Sequence, residues 1–297
     1  MRPCLVHIAD MANSDLPRFD PVEYARLKLI EGVRGVFNDV PGGEAPVPPS
    51  DMAFFAKDSP IRMVHADVVS MMVGGMAALL LQMLHPHALR GVLDFSDFRA
   101  DMHGRLRRTA RFIAVTTYGH SDDAEAAIER VNRIHTKING TLPDGTPYSA
   151  TDPRVLAWVH VTEAMMFLEA WLVHVQPDMP MHEQDEYFRQ FALIAKRLGA
   201  DPVPETKAEA MSIFREMRSD LRASPEAREV AALIINGRAK GAAGAVQPFF
   251  ANAATALIPP FARTMLDLDP PGLGAFPARL VTGALGGTLR WAFRQRV

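Results

Sequence analysis

Cysteine is almost missing from this chain. Cys4 is the single thiol in 297 residues, so neither an internal disulfide nor a zinc or iron–sulfur site built on several thiolates is available. A metal must lean on the ten histidines, on carboxylates or on a prosthetic group. Charge of one sign is also lacking: 34 acidic residues face 32 basic ones, for a net charge of −2. No global field exists to hold a polyanion, which speaks against a dedicated nucleic-acid binder. Strand formers are never collected between turn signals, and no self-similarity at solenoid spacing is visible. Gly-x-x-x-x-Gly-Lys-Ser/Thr, His-Glu-x-x-His and Gly-x-Ser-x-Gly are absent, leaving nucleotide hydrolysis, zincin and serine-hydrolase chemistry without support. Met1 to Asp20 carries Asp10, Asp15 and Asp20 and no sustained apolar run, so it lacks a secretory layout and a cytoplasmic protein is the expectation.

One long uncharged run is present, from Val68 to Leu89. Its length permits a membrane span, but Pro86 and the flanking histidines stop a helix near Leu84, and Ser70, Gly74, Gly75 and Gln82 interrupt it. A buried central helix is the expectation. From Asp67 onward apolar spacing is helical almost without break, over 67–84, 96–118, 122–139, 153–175, 181–198, 207–222, 225–238, 245–258 and 277–294. Ser96, Ser121 and Thr151-Asp152-Pro153 offer starts, while Gly119, Gly140 and Gly199 follow predicted ends. The fold class is therefore all-α, a single large helical domain. Residues 1–60 read as a Pro/Gly-rich arm with short helices around 21–38 and 51–57, residues 61–270 as the helical core, and 271–297 as a basic amphipathic segment. Within 277–297, Arg279, Arg290, Arg294 and Arg296 stand among apolar residues with no acidic group. Such a piece can lie on an anionic bilayer or dock on its own core.

Helical projection singles out three segments. In 96–118, Arg105, Arg108, Thr109, Phe112 and Thr116 share one side, with Arg107 and Arg111 pointing roughly the other way. A guanidinium among apolar neighbours needs a fixed acceptor, so Arg105 either pairs with a protein carboxylate, reaches out to the surface or serves an oxygen-rich ligand. In 122–139, His135 centres a stripe of Ala124, Ile128, Val131 and Ile138, which aims its imidazole inward, as a hydrogen-bonded core residue or as a ligand. Burial favours the neutral ring that metals bind. In 153–175, His160, Glu163, Phe167, Trp171 and His174 fall along one stripe. His-x-x-Glu reverses the order used by di-iron bundles, and no partner motif appears, so a buried polar cluster supporting another site is the better reading.

With these residues in view the chain resembles the MpaB and latex-clearing-protein (rubber oxygenase) family. The matching text is Gly-Gly-Met-Ala-Ala-Leu-Leu-Leu-Gln-Met-Leu-His-Pro at 74–86, Gly91-Val92, Arg-Leu-Arg-Arg-Thr at 105–109, Ile-His-Thr-Lys-Ile-Asn-Gly at 134–140, Asp-Gly-Thr-Pro-Tyr-Ser-Ala-Thr-Asp-Pro at 144–153 and Trp-Val-His at 158–160. The resemblance implies a globin-like helical core holding haem b, with His135 as the proximal iron ligand. It implies an oxygenase that uses dioxygen on an apolar, isoprenoid-like or lipid-like small molecule. Arg105 and Thr109 match the family's pocket motif, and Arg108 stands where rubber-cleaving members carry a lysine. The family's glutamate has no counterpart before Asp94, and His85 is the candidate to handle protons in its place. Arg107 and Arg111 are candidate partners of haem propionates, and His160 is a further candidate cofactor-binding residue. A haem-binding sensor without turnover and an iron-free lipid-binding or partner-binding protein are the rival readings.

Overall fold

The computed structural model describes residues 24, 46–96, 101–237 and 242–268. It is all-α, as the apolar periodicity requires. The helices are α1 (Pro60–Ala66), α2 (Val68–Gln82), α3 (Pro86–Phe95), α4 (Met102–Tyr118), α5 (Ser121–His135), α6 (Pro153–His174), α7 (Met181–Arg197), α8 (Lys207–Glu216), α9 (Pro225–Asn236), α10 (Ala242–Leu257) and α11 (Pro260–Met265). Asp67 caps α2 by accepting from the Ser70 amide, and Asp152 caps α6 by accepting from the Arg154 and Val155 amides, with Pro153 in the first turn. Gly199 follows the end of α7 at φ +87°, the left-handed conformation that closes a helix and that glycine adopts without a Cβ penalty.

Several boundaries differ from the sequence reading. The short helix expected over 51–57 is a series of turns, and α1 forms instead behind Pro60. No helix is expected between 84 and 96, yet α3 forms there behind Pro86, and the helix expected over 96–118 begins at Met102. Ser96 ends α3 by donating to the Val92 carbonyl at 2.6 Å, and Asp101 caps α4 through the Gly104 amide at 2.7 Å. Helix α5 stops at His135, not 139, because the chain turns there into a small antiparallel hairpin, β1 (Asn139–Thr141) with β2 (Pro147–Ser149), in the register Gly140↔Tyr148. Three-residue strands are too short to show alternation, so this hairpin leaves no period-2 signal. Tyr148 ties it to α3, donating from its hydroxyl to Asp94 Oδ2 at 2.6 Å. The last part of the expected 207–222 helix tightens into a 3₁₀ turn at Met217–Asp220.

The two most apolar helices, α2 and α6, lie against each other at the centre. Val73, Ala77, Leu80 and Leu81 of α2 are fully buried, as are Ala157, Trp158 and Ala170 of α6. A Cβ on Gly74 would sit 2.7 Å from the Met166 carbonyl oxygen, so the two backbones nearly touch at that point. On one side of α6, residues of α2, α8, α9 and α10 form the larger core; on the other, α1, α7 and the Ile128 face of α5 form a second. Helix α6 is long and apolar enough to cross a membrane, with 72% of its most apolar stretch buried inside the protein, and the apolar pair α1–α2 is bent by 91°. The uncharged run at 68–89 is accordingly a buried central helix ending before Pro86. The expected arm through residue 45, apart from Tyr24, and the basic segment 271–297 lie outside the described residues.

Candidate active site

Helices α4, α5 and α6 bring Arg105, His135 and His160 together, with Glu163 one turn beyond His160. Arg105 leaves the first turns of α4 and is half-buried, donating from Nη1 to Ser96 Oγ at 3.2 Å. Burial, then Arg108, pulls its acidity to about 10, against the opposing pull of Glu163, and it stays cationic at neutral pH. His135 ends α5 half-buried. Its Nδ1 is enclosed with no hydrogen-bond partner. Burial first, and the Arg105 charge second, hold the ring below the usual imidazole range. His160 is 7% exposed, its Nδ1 is likewise enclosed without a partner, and burial followed by His135 lowers it to about 4. Both imidazoles are therefore neutral near pH 7. Each carries a buried ring nitrogen that no protein group satisfies, which is unusual because buried polar atoms are nearly always paired.

Glu163 is half-buried and faces a cavity of about 20 Å³, room for about one water. His65, Thr116, Thr117 and His160 line the same cavity, with Phe112 and Phe191 on its apolar side. Burial pushes the Glu163 carboxyl up to about 7, opposed by a hydrogen bond with Gln82 and by Arg105. Behind it runs a buried polar chain: His65 Nδ1 lies 2.9 Å from Thr117 Oγ1 and its Nε2 3.4 Å from the Tyr187 hydroxyl. Burial, then the Glu163 charge, pushes Tyr187 well above the usual phenol range. A smaller void of about 10 Å³ shares His160 and Phe191.

Other residues singled out in the sequence fall elsewhere. Arg108, expected beside Arg105, has a side chain 66% exposed and lies 3.9 Å from Asp101. Arg107 lies 3.9 Å from the same carboxylate. The Asp101 cap draws both guanidinium groups back toward the start of α4, the direction in which long helical side chains lean. Arg111 is exposed and Thr109 is half-buried. His85 is 5% exposed and its Nδ1 lacks a partner, but the structure does not bring it to the Arg105 cluster. Burial and then His87, whose ring meets it edge-on at 5.4 Å, lower it to about 4, and the other charges acting on it belong to Asp220, Asp152 and Arg154. Sequence reasoning missed His65, Gln82, Thr117 and Tyr187 as pocket residues. For His65 a signal existed: Pro60 followed by Ile61, Val64 and His65 at helical spacing.

A neutral imidazole is the form of histidine that ligates iron, so His135 and His160 are the residues of this cluster with that chemistry. Among the described residues no group of three or more His, Cys, Asp or Glu side chains could hold a metal ion. Residues 62–291 match the family model described as ER-bound oxygenase mpaB/B′/rubber oxygenase, catalytic domain. No curated protein and no solved structure matches the chain.

Proposed function

The chain belongs to the mpaB/rubber oxygenase catalytic-domain family, and on that premise we propose that this oxygenase is haem b-dependent and acts on an apolar, lipid-like or isoprenoid-like small molecule. The observation that carries the reading is His135 itself, a half-buried imidazole at the end of α5 that burial and the Arg105 charge keep neutral. His135 is the residue that would hold the iron, and when bound, haem supplies the redox centre at which dioxygen reacts. Arg105, cationic in a place where charge is poorly screened, stabilises negative charge developing on oxygen, and Thr109 on the following turn helps organise that wall. Arg107 and Arg111 of α4 are the candidate partners of the haem propionates. Phe112, Ile113 and Phe191 form the apolar side of the cavity that Glu163 lines and would give an apolar substrate its contact surface.

Absorption spectra test ligand and cofactor together. After haem reconstitution the wild type gives a Soret band, His135→Ala loses it or its coordination signature, and His160→Ala keeps it. A wild type without a Soret band, or loss in His160→Ala with retention in His135→Ala, overturns the assignment. Oxygen consumption with apolar substrates separates an enzyme from a haem-binding sensor.

A further inference from the structure

Resting on that oxygenase reading, we propose that Glu163 is the proton-exchanging residue of this pocket, trading a single proton with a water or substrate oxygen in the cavity it shares with His65, His160 and Thr117. His85 was the sequence candidate for that work, but it stands among Asp220, Asp152 and Arg154 and not beside Arg105. Glu163 is the carboxylate placed where the chemistry needs one. It lines the cavity, accepts support from Gln82 of α2, and feels the charge of Arg105 from α4.

The groups facing it leave it the one site free to change charge near neutrality. His65 from α1 is held to about 3 by burial and His160 from its own helix to about 4, so both stay neutral. His135 from α5, which acts on His160, is shifted in the same direction. Arg105 remains a cation and Tyr187 from α7 remains a neutral phenol. Glu163 is poised at about 7, the condition under which a carboxyl gives and takes a proton with equal ease. The step is proton transfer alone: the carboxyl O–H bond breaks as an O–H bond forms on the acceptor, the reverse restores it, and no electron changes hands. The cavity has room for about one water, and Glu163, His160, Thr116 and Thr117 are among the polar side chains that line it.

Infrared titration of the full chain tests this without any dependence on haem. The wild type is expected to show a protonated-carboxyl stretch that fades between about pH 6 and pH 8, and Glu163→Gln to lack it. Gln has the same shape and no charge, so the variant's thermal unfolding at pH 5 should match that of the wild type. In the haem-loaded enzyme, Glu163→Gln is expected to lower kcat about 100-fold or more, to leave KM within about twofold and to abolish the inflection near neutral pH; Glu163→Asp restores part of the rate. Persistence of the infrared band in Glu163→Gln, its absence from the wild type, or an unchanged pH–rate profile in the variant each overturns the proposal. A wild type that binds no haem but gives the infrared titration would sink the cofactor reading and leave the carboxyl's proton exchange standing.

Discussion

Gly74→Ala is expected to destabilise the protein by about 2 kcal/mol, even though alanine is the better helix former by about 1 kcal/mol. The added methyl would meet the Met166 carbonyl oxygen at 2.7 Å and the Phe167 Cα at 2.9 Å. These are backbone atoms of a helix buried on nearly every side, so they cannot rotate away as a flexible side chain would. Helices α2 and α6 must separate instead, loosening contacts along the larger core. The adjacent position supplies the control. A Cβ on Gly75 would meet the Phe167 ring at 3.5 Å, an ordinary contact, so Gly75→Ala keeps the propensity gain and is expected to be neutral or stabilising by up to about 1 kcal/mol. Urea unfolding measures both. Equal or higher stability in Gly74→Ala would mean that the two backbones do not approach this closely.

Acid weakens the fold well above the usual carboxylate range. His65, His85 and His160 are held to about 3, 4 and 4 in the folded chain, against about 6.5 once unfolded. Between those values the unfolded chain binds protons that the folded chain does not, so stability falls as pH drops from about 6.5 toward 4. Each ring is worth on the order of 3 kcal/mol across that interval, and three of them rival the whole 5–15 kcal/mol stability of a typical domain. Glu163 has the opposite sign. Its folded value, about 7, is raised, so its contribution is fully present below the unfolded value of about 4.5 and is lost as pH rises through 7, on the order of 3 kcal/mol in all. The three imidazoles outweigh it below about pH 7, and above that the two effects nearly cancel. Melting temperature is therefore expected to fall steeply from about pH 7 toward pH 4.5 and to level off toward pH 8. Glu163→Gln removes the opposing contribution and makes the rise between about pH 5 and 7 steeper. A melting temperature flat from pH 6.5 to 4.5 contradicts the burial assigned to these rings.

How much of this was legible in the sequence depended on what each residue signals locally. Asp152 before Pro153 fixed the start of α6, and Gly199 marked the end of α7. The absence of formal charge from Val68 to Gln82 identified a buried helix, because no polar face remained to meet water. Projection also placed His135 correctly toward the interior, although the stripe was extended to Ile138 through residues that leave the helix. Arg108 follows the surface-reaching alternative, since a helical wheel assigns a direction to Cβ and says nothing of where a long side chain carries its charge, and its guanidinium lies 3.9 Å from Asp101, about two turns back. Glu163 was visible on the stripe with His160 and was left outside the candidate site. Its significance comes from Gln82, Arg105 and the cavity shared with His65, contacts between residues up to about 100 positions apart that no local pattern encodes.

The placement of the tryptophans gives the protein a built-in optical reporter. Three occur in the sequence. Trp158 and Trp171 sit on α6 on either side of His160 and Glu163, one packed into each core, and both indole N–H groups are enclosed without an acceptor. Unlabelled emission should thus register what enters between them: haem uptake is expected to quench fluorescence in the wild type, and Trp171→Phe to leave a signal weighted toward the larger core.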